Sequence, residues 1–266
     1  MDFILNKEPG KAPHLYLPSF GGGKARAIFT TRCGGVSQGP YTSLNLGFHT
    51  GDSPEAVTTN RHLLARSLGI KEERFFTLSQ VHGDRVVVID TERDLMMKKG
   101  TAADGVITSL KNTAVAICCA DCQAIYLYDP VKEVISVAHA GWRGNVARIA
   151  LNCLQEMTRV YGSRPQDCCA ALSPAAGDCC YEVGDQVYTA VRDAFPGSWQ
   201  NLMVHKDHGK WHLSLSRANA LVLMDAGVMK ENIFVSNLCT ICRQDLFFSY
   251  RGSAGVTGRM AAILIQ

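Results

Sequence analysis

The residues from Val134 to Arg159 confine the chain to a narrow set of folds. The run opens with β-branched Val134-Ile135-Ser136-Val137 and breaks at His139-Ala140-Gly141-Trp142-Arg143-Gly144. Apolar residues then recur at Val146, Ile149, Ala150, Cys153, Leu154, Met157 and Val160. The first spacing is that of a buried strand and the second that of an amphipathic helix. A buried strand that passes through a glycine turn into a helix belongs to an α/β architecture, and it carries polar side chains and free helix N–H groups to one edge of a sheet. His139 stands at the strand exit, Arg143 in the turn, and the helix start offers partial positive charge to an anion.

The rest of the chain supplies more of both elements. Ala25–Thr31, Phe75–Val81, Arg85–Asp90, Val106–Thr108, Thr113–Cys119, Ala124–Tyr128, Asp167–Leu172, Ile233–Ser236 and Met260–Ile265 read as strands. A turn at His82-Gly83-Asp84 suggests that the second and third of these form a hairpin. One helix is capped by Asp52 or Ser53, carries Pro54 at its first position and stops at Gly69; a second holds Val187, Val191 and Ala194; a third begins at Ser214 or Ser216 and ends at Gly227. Met96–Gly100 reads as a surface excursion and Val204–Trp211 as a solvated, His-bearing loop. No repeat, low-complexity tract or Pro/Ser-rich linker divides the 266 residues. A single α/β (α+β) domain over 1–266 is expected, with mixed β-sheets packed between flanking helices.

Composition excludes several function classes. A formal charge of +3 with no Lys/Arg block lacks the footprint of a nucleic-acid binder. No apolar run is long enough for a bilayer, and the start, MDFILNKEPGKAPH, lacks the basic-then-apolar pattern of a signal peptide. A cytoplasmic, reduced protein without membrane partners is expected. The eleven cysteines then read mainly as small core residues. Their odd count and the adjacent pairs Cys118-Cys119, Cys168-Cys169 and Cys179-Cys180 speak against a disulfide framework, because neighbours on a strand point to opposite faces.

Three side chains stand beside strand ends: His82, Cys122 and His139. If those strands are neighbours, two imidazoles and a thiolate can share one zinc and leave a fourth position for water or substrate, as in a catalytic site. The same residues allow a rival, a Cys122–His139 nucleophile–base pair with Asp121 orienting the histidine. A third reading is a non-catalytic, zinc-stabilised binding module. Cys119-x-x-Cys122 and Cys239-Thr-Ile-Cys242 stand too far apart for a four-cysteine ribbon, and Cys239 and Cys242 are expected to be structural thiols.

Several blocks carry a resemblance that spans nearly the whole chain: Thr31-Arg32-Cys33-Gly34-Gly35-Val36-Ser37, Ser43-Leu44-Asn45-Leu46-Gly47, Gln80-Val81-His82-Gly83, Ala120-Asp121-Cys122, His139 to Gly144, Cys179 to Gly184, and Phe247-Phe248-Ser249-Tyr250-Arg251. Their order and spacing resemble the laccase-domain, YfiH-like family of purine nucleoside phosphorylases. The resemblance implies one zinc on His82, Cys122 and His139. It also implies phosphorolysis of adenosine, inosine, guanosine and methylthioadenosine, with adenosine deamination as a second reaction. Older naming in the family implies a copper-dependent polyphenol oxidase, which one His/His/Cys site serves poorly because a laccase needs several copper centres. Arg32, Arg143 and the helix start after Gly144 are candidates for phosphate, and Asn45, Tyr181 and Arg251 for ribose or base. The sequence departs from the family at Gln123-Ala124, at Ser173–Asp178 and at Gly252, none of them a metal ligand.

Overall fold

The computed structural model of the chain describes residues 2–206 and 210–266. It opens with strands β1 (Ile4–Asn6), β2 (His14–Tyr16) and β3 (Arg26–Thr30), then helix α1 (Pro54–Leu68) and strands β4 (Phe75–Thr77) and β5 (Val86–Ile89). Helix α2 (Glu92–Met97) precedes β6 (Gly105–Thr108), β7 (Ala114–Cys119), β8 (Gln123–Asp129) and β9 (Val134–Ala140). Helices α3 (Trp142–Val146) and α4 (Ile149–Tyr161) lead to β10 (Cys169–Leu172), β11 (Glu182–Val183), α5 (Asp185–Ala194) and α6 (Trp199–Leu202). The remainder is β12 (Met203–Lys206), β13 (Lys210–Leu213), α7 (Leu215–Asp225), β14 (Ile233–Val235) and β15 (Met260–Ile265).

Among the described residues these strands form two six-stranded mixed sheets, ordered β1-β2-β3-β15-β7-β4 and β14-β10-β8-β9-β6-β5, and a small sheet β11-β13-β12. Side-chain alternation assigns each face. In β7, Val115, Ile117 and Cys119 enter a core shared with Tyr126, Tyr128, Ile135 and Val137 of the second sheet, whereas Ala114 and Ala116 turn outward. That outer face is covered by Leu64 and Leu68 of α1. The far face of the second sheet, through Ile125, Leu127, Val134 and Ala138, receives Ile149, Cys153, Leu154 and Met157 of α4 and Val222 and Leu223 of α7. The result is a helix–sheet–sheet–helix stack, in agreement with mixed sheets held between helices.

Local sequence accounts for the element ends. Ser53 caps α1, its Oγ accepting from Ala56 N–H at 3.3 Å; Pro54 is the first helical residue, and Gly69 closes the helix at φ 69°.

Four expectations are corrected. Phe75–Asp90 is not a hairpin: β4 pairs in parallel with β7 and β5 in parallel with β6, so the chain crosses from one sheet to the other between them. The helix expected from Gly144 onward is two helices, because Arg148 adopts φ 57° and lays its guanidinium against Ala194 O at 3.0 Å. The expected excursion at Met96 begins as α2, capped by Thr91, although Met96 and Met97 are indeed exposed. The segment expected as a loop from Val204 supplies β12 and β13, which pair antiparallel with His205 opposite Trp211. Asp207, His208 and Gly209 fall outside the described residues.

Candidate metal centre and substrate cleft

Register brings the candidate ligands together. β8 and β9 are antiparallel neighbours with Gln123 opposite Ala140 and Ala124 opposite His139. Cys122, just before β8, therefore lies beside the exit of β9. His82 arrives from the crossover between β4 and β5. The ligand atoms of His82, Cys122 and His139 all lie within 4.8 Å of one another, and the two imidazoles meet edge to face at 4.7 Å. Gly141 makes room, since a Cβ there would stand 2.9 Å from Cys122 Sγ. This group can hold a metal ion.

One carboxylate that the sequence reading passed over organises the arrangement. Asp104 is completely buried just ahead of β6. Its Oδ1 accepts from His82 N–H at 3.0 Å and from His139 Nδ1–H at 2.8 Å, and its Oδ2 from Val81 N–H at 3.1 Å and Gly83 N–H at 2.8 Å. These bonds hold His82 at φ 59°, a region that β-carbon sterics disfavour. They also commit His139 Nδ1 and leave its Nε2 for the centre. Gln80 fixes the same crossover by pairing both amide atoms with the Cys118 backbone, at 2.8 and 2.7 Å. Gln80-Val81-His82-Gly83 is thus a local device for presenting one imidazole. On the other side Asp121, at φ 89°, accepts from Thr240 Oγ1 at 2.7 Å and from Arg251 N–H at 2.6 Å. It does not orient His139; Asp104 does.

The charges suit a metal ligand set. Burial works against ionisation of Cys122, yet the His139 charge and hydrogen bonds from His139 and His82 bring its thiol down to about 6. Burial likewise opposes charge on His139, but the Cys122 thiolate and Asp104 raise it to about 9. Asp104 itself lies below the usual carboxylate range despite burial, because His139 and the N–H groups of Gly83 and Val81 stabilise its anion. The neighbouring thiols differ: burial pushes Cys118 and Cys119 up.

The three residues form the floor of a cleft of about 830 Å³, whose walls include Phe48, His49, Arg61, Gln80, Tyr181, Tyr250, Arg251 and Arg259. Of the residues expected to touch substrate, Tyr181 and Arg251 line this cleft. Arg32, Asn45 and Arg143 do not. Arg32 donates to Thr42 O and Gln244 O and lies over the Phe248 ring, where it joins loops. Asn45 is fully buried, and its Oδ1 accepts from the backbone N–H groups of Gly47 and Arg259. Arg143 is exposed over the Trp142 ring, and the helix it opens has only five residues. The cationic walls come instead from Arg61 and Arg259. Arg259 had a usable signal, a cation immediately before a buried strand, whereas Arg61 sat unremarked on the polar face of α1.

A family model described as multi-copper polyphenol oxidoreductase laccase matches residues 26–266. The chain belongs to this laccase-like family. Purine nucleoside phosphorylase YlmD of Bacillus subtilis is 39% identical over 246 residues, covering 90% of this chain and 87% of that protein. A purine nucleoside phosphorylase of Deinococcus radiodurans is 38% identical, covering 96% and 91%. The crystal structure of YlmD from Geobacillus stearothermophilus superposes with a TM-score of 0.92 at 35% identity, over 99% of each chain. In this laccase-like chain the Gln80–Gly83, Ala120–Cys122 and His139–Gly144 blocks bring together three side chains that can hold a metal ion, while Asn45 and Leu46 hold Arg259 and Arg61 by hydrogen bonds.

Proposed function

We propose that the chain is a zinc-dependent purine nucleoside phosphorylase. It cleaves adenosine, inosine, guanosine and S-methyl-5′-thioadenosine with phosphate and deaminates adenosine as a second reaction. The observation that carries this reading is the convergence of His82, Cys122 and His139 on the floor of a cleft of about 830 Å³, large enough for a nucleoside beside an anion. The relatives named as purine nucleoside phosphorylases support it. Two imidazoles and a thiolate fit zinc with one position open, and the bound ion would supply Lewis-acid polarisation and an acidified water.

Phosphorolysis joins a phosphate oxygen to the anomeric carbon while the glycosidic C–N bond breaks; its electron pair leaves with the purine, which takes up a proton. Arg61 and Arg259 are the proposed anion site. Arg61 spends Nε and Nη2 on Leu46 O, at 2.9 and 2.7 Å, and Arg259 spends Nη1 on Thr257 O and Gly258 O, at 2.9 and 3.0 Å. Each guanidinium keeps a terminal nitrogen for phosphate and has little rotamer freedom left to lose. Tyr181 and Arg251 form the facing wall for ribose or base, with the guanidinium 5.2 Å over the ring. Burial and the Cys122 charge push the Tyr181 hydroxyl up to about 12, so it stays a donor. His49, held below its ordinary value by burial and by Arg259 and Arg61, is neutral near pH 7. Past Phe48 and Cys118 the cleft meets a mainly apolar hollow bounded by Leu64, Phe75 and Ile263, a seat for the base or a methylthio group.

The donor set argues against a polyphenol oxidase. Among the described residues only this cluster of possible metal ligands contains histidine, whereas a laccase needs several copper centres. The order Cys122, His139, Asp104 also matches a nucleophile, a base and an orienting carboxylate, so a cysteine hydrolase is the second reading. Inosine with and without phosphate separates them. The phosphorylase yields hypoxanthine and ribose 1-phosphate only when phosphate is present; equal cleavage to free ribose in phosphate-free buffer would overturn the reading.

A further inference from the structure

Four of the eleven cysteines meet away from the cleft floor. Cys179 and Cys180 lie in a tight turn in which Cys180 N–H and Tyr181 N–H both donate to Gly177 O, at 2.9 and 2.8 Å. Cys239 and Cys242 lie in the turn that follows β14, where Cys239 bridges to Ala175. The four Sγ atoms lie within 4.8 Å of one another, with Cys180 to Cys242 at 3.3 Å and Cys179 to Cys242 at 3.6 Å. A disulfide needs about 2.05 Å and joins only two sulfurs. Four sulfurs bound tetrahedrally to zinc at about 2.3 Å stand roughly 3.8 Å apart. We propose that Cys179, Cys180, Cys239 and Cys242 bind a second metal ion, a structural zinc with four thiolate ligands, separate from the centre at His82, Cys122 and His139.

Two features besides the sulfur spacing point to this ligand. Cys239 Sγ accepts the Gly177 N–H at 3.3 Å. A backbone donor of this kind stabilises a thiolate and orients a ligand for its ion. Gly177 also leaves room for the cluster, since a Cβ there would lie 3.1 Å from Cys179 Sγ and 3.2 Å from Cys239 Cβ. With Cys239 buried and Cys179 and Cys242 exposed, the site opens on one side to incoming metal. A four-thiolate shell with no open coordination position is a structural arrangement.

The ion would join two loops that both hold Asp121, the residue before Cys122. Ala176 N–H donates to Asp121 O at 2.9 Å, and Thr240 Oγ1 donates to its carboxylate at 2.7 Å. Tyr181, next to Cys180, belongs to the cleft wall. The second zinc therefore braces that wall without touching substrate.

Metal analysis of the purified protein tests the assignment. Wild type is expected to carry two zinc equivalents, and one each should remain in the His82→Ala/Cys122→Ser/His139→Ala and the Cys179→Ser/Cys242→Ser variants. Because the cysteine variant can fail to fold, cobalt substitution of the histidine-site variant provides a second measurement. Its remaining cobalt should show the intense thiolate-to-cobalt charge transfer and visible bands of a tetrahedral all-sulfur site. One zinc equivalent in wild type that the histidine-site variant abolishes would overturn the proposal. So would a native mass showing a disulfide among these four cysteines.

Discussion

Replacing Asp104 by Asn tests the claim that one buried carboxylate assembles the metal centre. The four donors on Asp104 divide evenly between its oxygens, with His82 N–H and His139 Nδ1–H on Oδ1 and Val81 N–H and Gly83 N–H on Oδ2. Asparagine offers one oxygen and one NH₂, so in either orientation two donors face another donor. Hydrogen bonds to a charged group contribute about 1.5–3 kcal/mol each, which makes the loss about 3–6 kcal/mol. Val81 and His82 are exposed and can recruit water, so the lower end, about 3 kcal/mol, is expected. Urea unfolding reads this loss directly. Metal affinity should fall about 10- to 100-fold, because His139 loses its orienting partner. The carboxyl lies below its ordinary value, so its contribution is present above the unfolded-state value and disappears as pH falls through the folded one. The variant should therefore lose that acid limb. Stability within about 1 kcal/mol of wild type, with unchanged metal affinity, would refute the reasoning.

Three further outcomes follow from the geometry. Gly141→Ala puts a Cβ 2.9 Å from Cys122 Sγ and should lower metal affinity at least tenfold while the fold, read by circular dichroism, persists; unchanged affinity would show that Cys122 is not where the ion binds. In metal-free protein, alkylation of Cys122 should rise with pH through about 6, the value set by His139 and His82 against burial. Its depressed thiol contributes stability lost as pH falls through about 6, and the raised His139 contributes stability lost as pH climbs through about 9, so metal-free protein should be most stable between them. Alkylation following an ordinary thiol profile would sink that pairing. Arg259→Ala should raise the KM for phosphate in inosine cleavage at least tenfold and leave adenosine deamination less affected, whereas Arg143→Ala should change neither by more than about twofold, its side chain lying outside the cleft. The reverse ranking would restore the anion site at the start of α3.

The parts of this molecule legible in its sequence are those set by short-range pattern. The apolar run from Ala114 to Cys119 and the helical spacing after Ile149 announce a buried strand and a core-facing helix, and both are present. His82, Cys122 and His139 could be named because each stands beside a strand end. What the sequence could not convey was pairing. Phe75–Asp90 has the pattern of a hairpin, but the N–H groups of Val81, His82 and Gly83 are captured by Asp104, more than twenty residues on, and the strands part to different sheets. Long-range capture also explains Asn45 and Arg32, which hold the Arg259 N–H and the Gln244 carbonyl more than two hundred residues away. The cysteines teach the same lesson. Adjacent Cys179 and Cys180 would diverge on a strand, but they lie in a turn and aim at Cys242 together, whereas Cys119, the partner suggested by spacing, is buried in the core between the sheets. Val204–Lys206 looked like loop because its outer face is polar; its other side is held by Trp211, stacked on Tyr188.

The most direct test of the central claim is to measure metal content and phosphate-dependent inosine cleavage together in His82→Ala, Cys122→Ser and His139→Ala, whose ligand atoms lie within 4.8 Å of one another and are proposed to share one ion. Each variant should lose one metal equivalent and at least a hundredfold in the rate of ribose 1-phosphate formation, while the four-cysteine site stays loaded. Full metal content in all three variants, or wild-type cleavage in any that has lost the ion, would contradict the account.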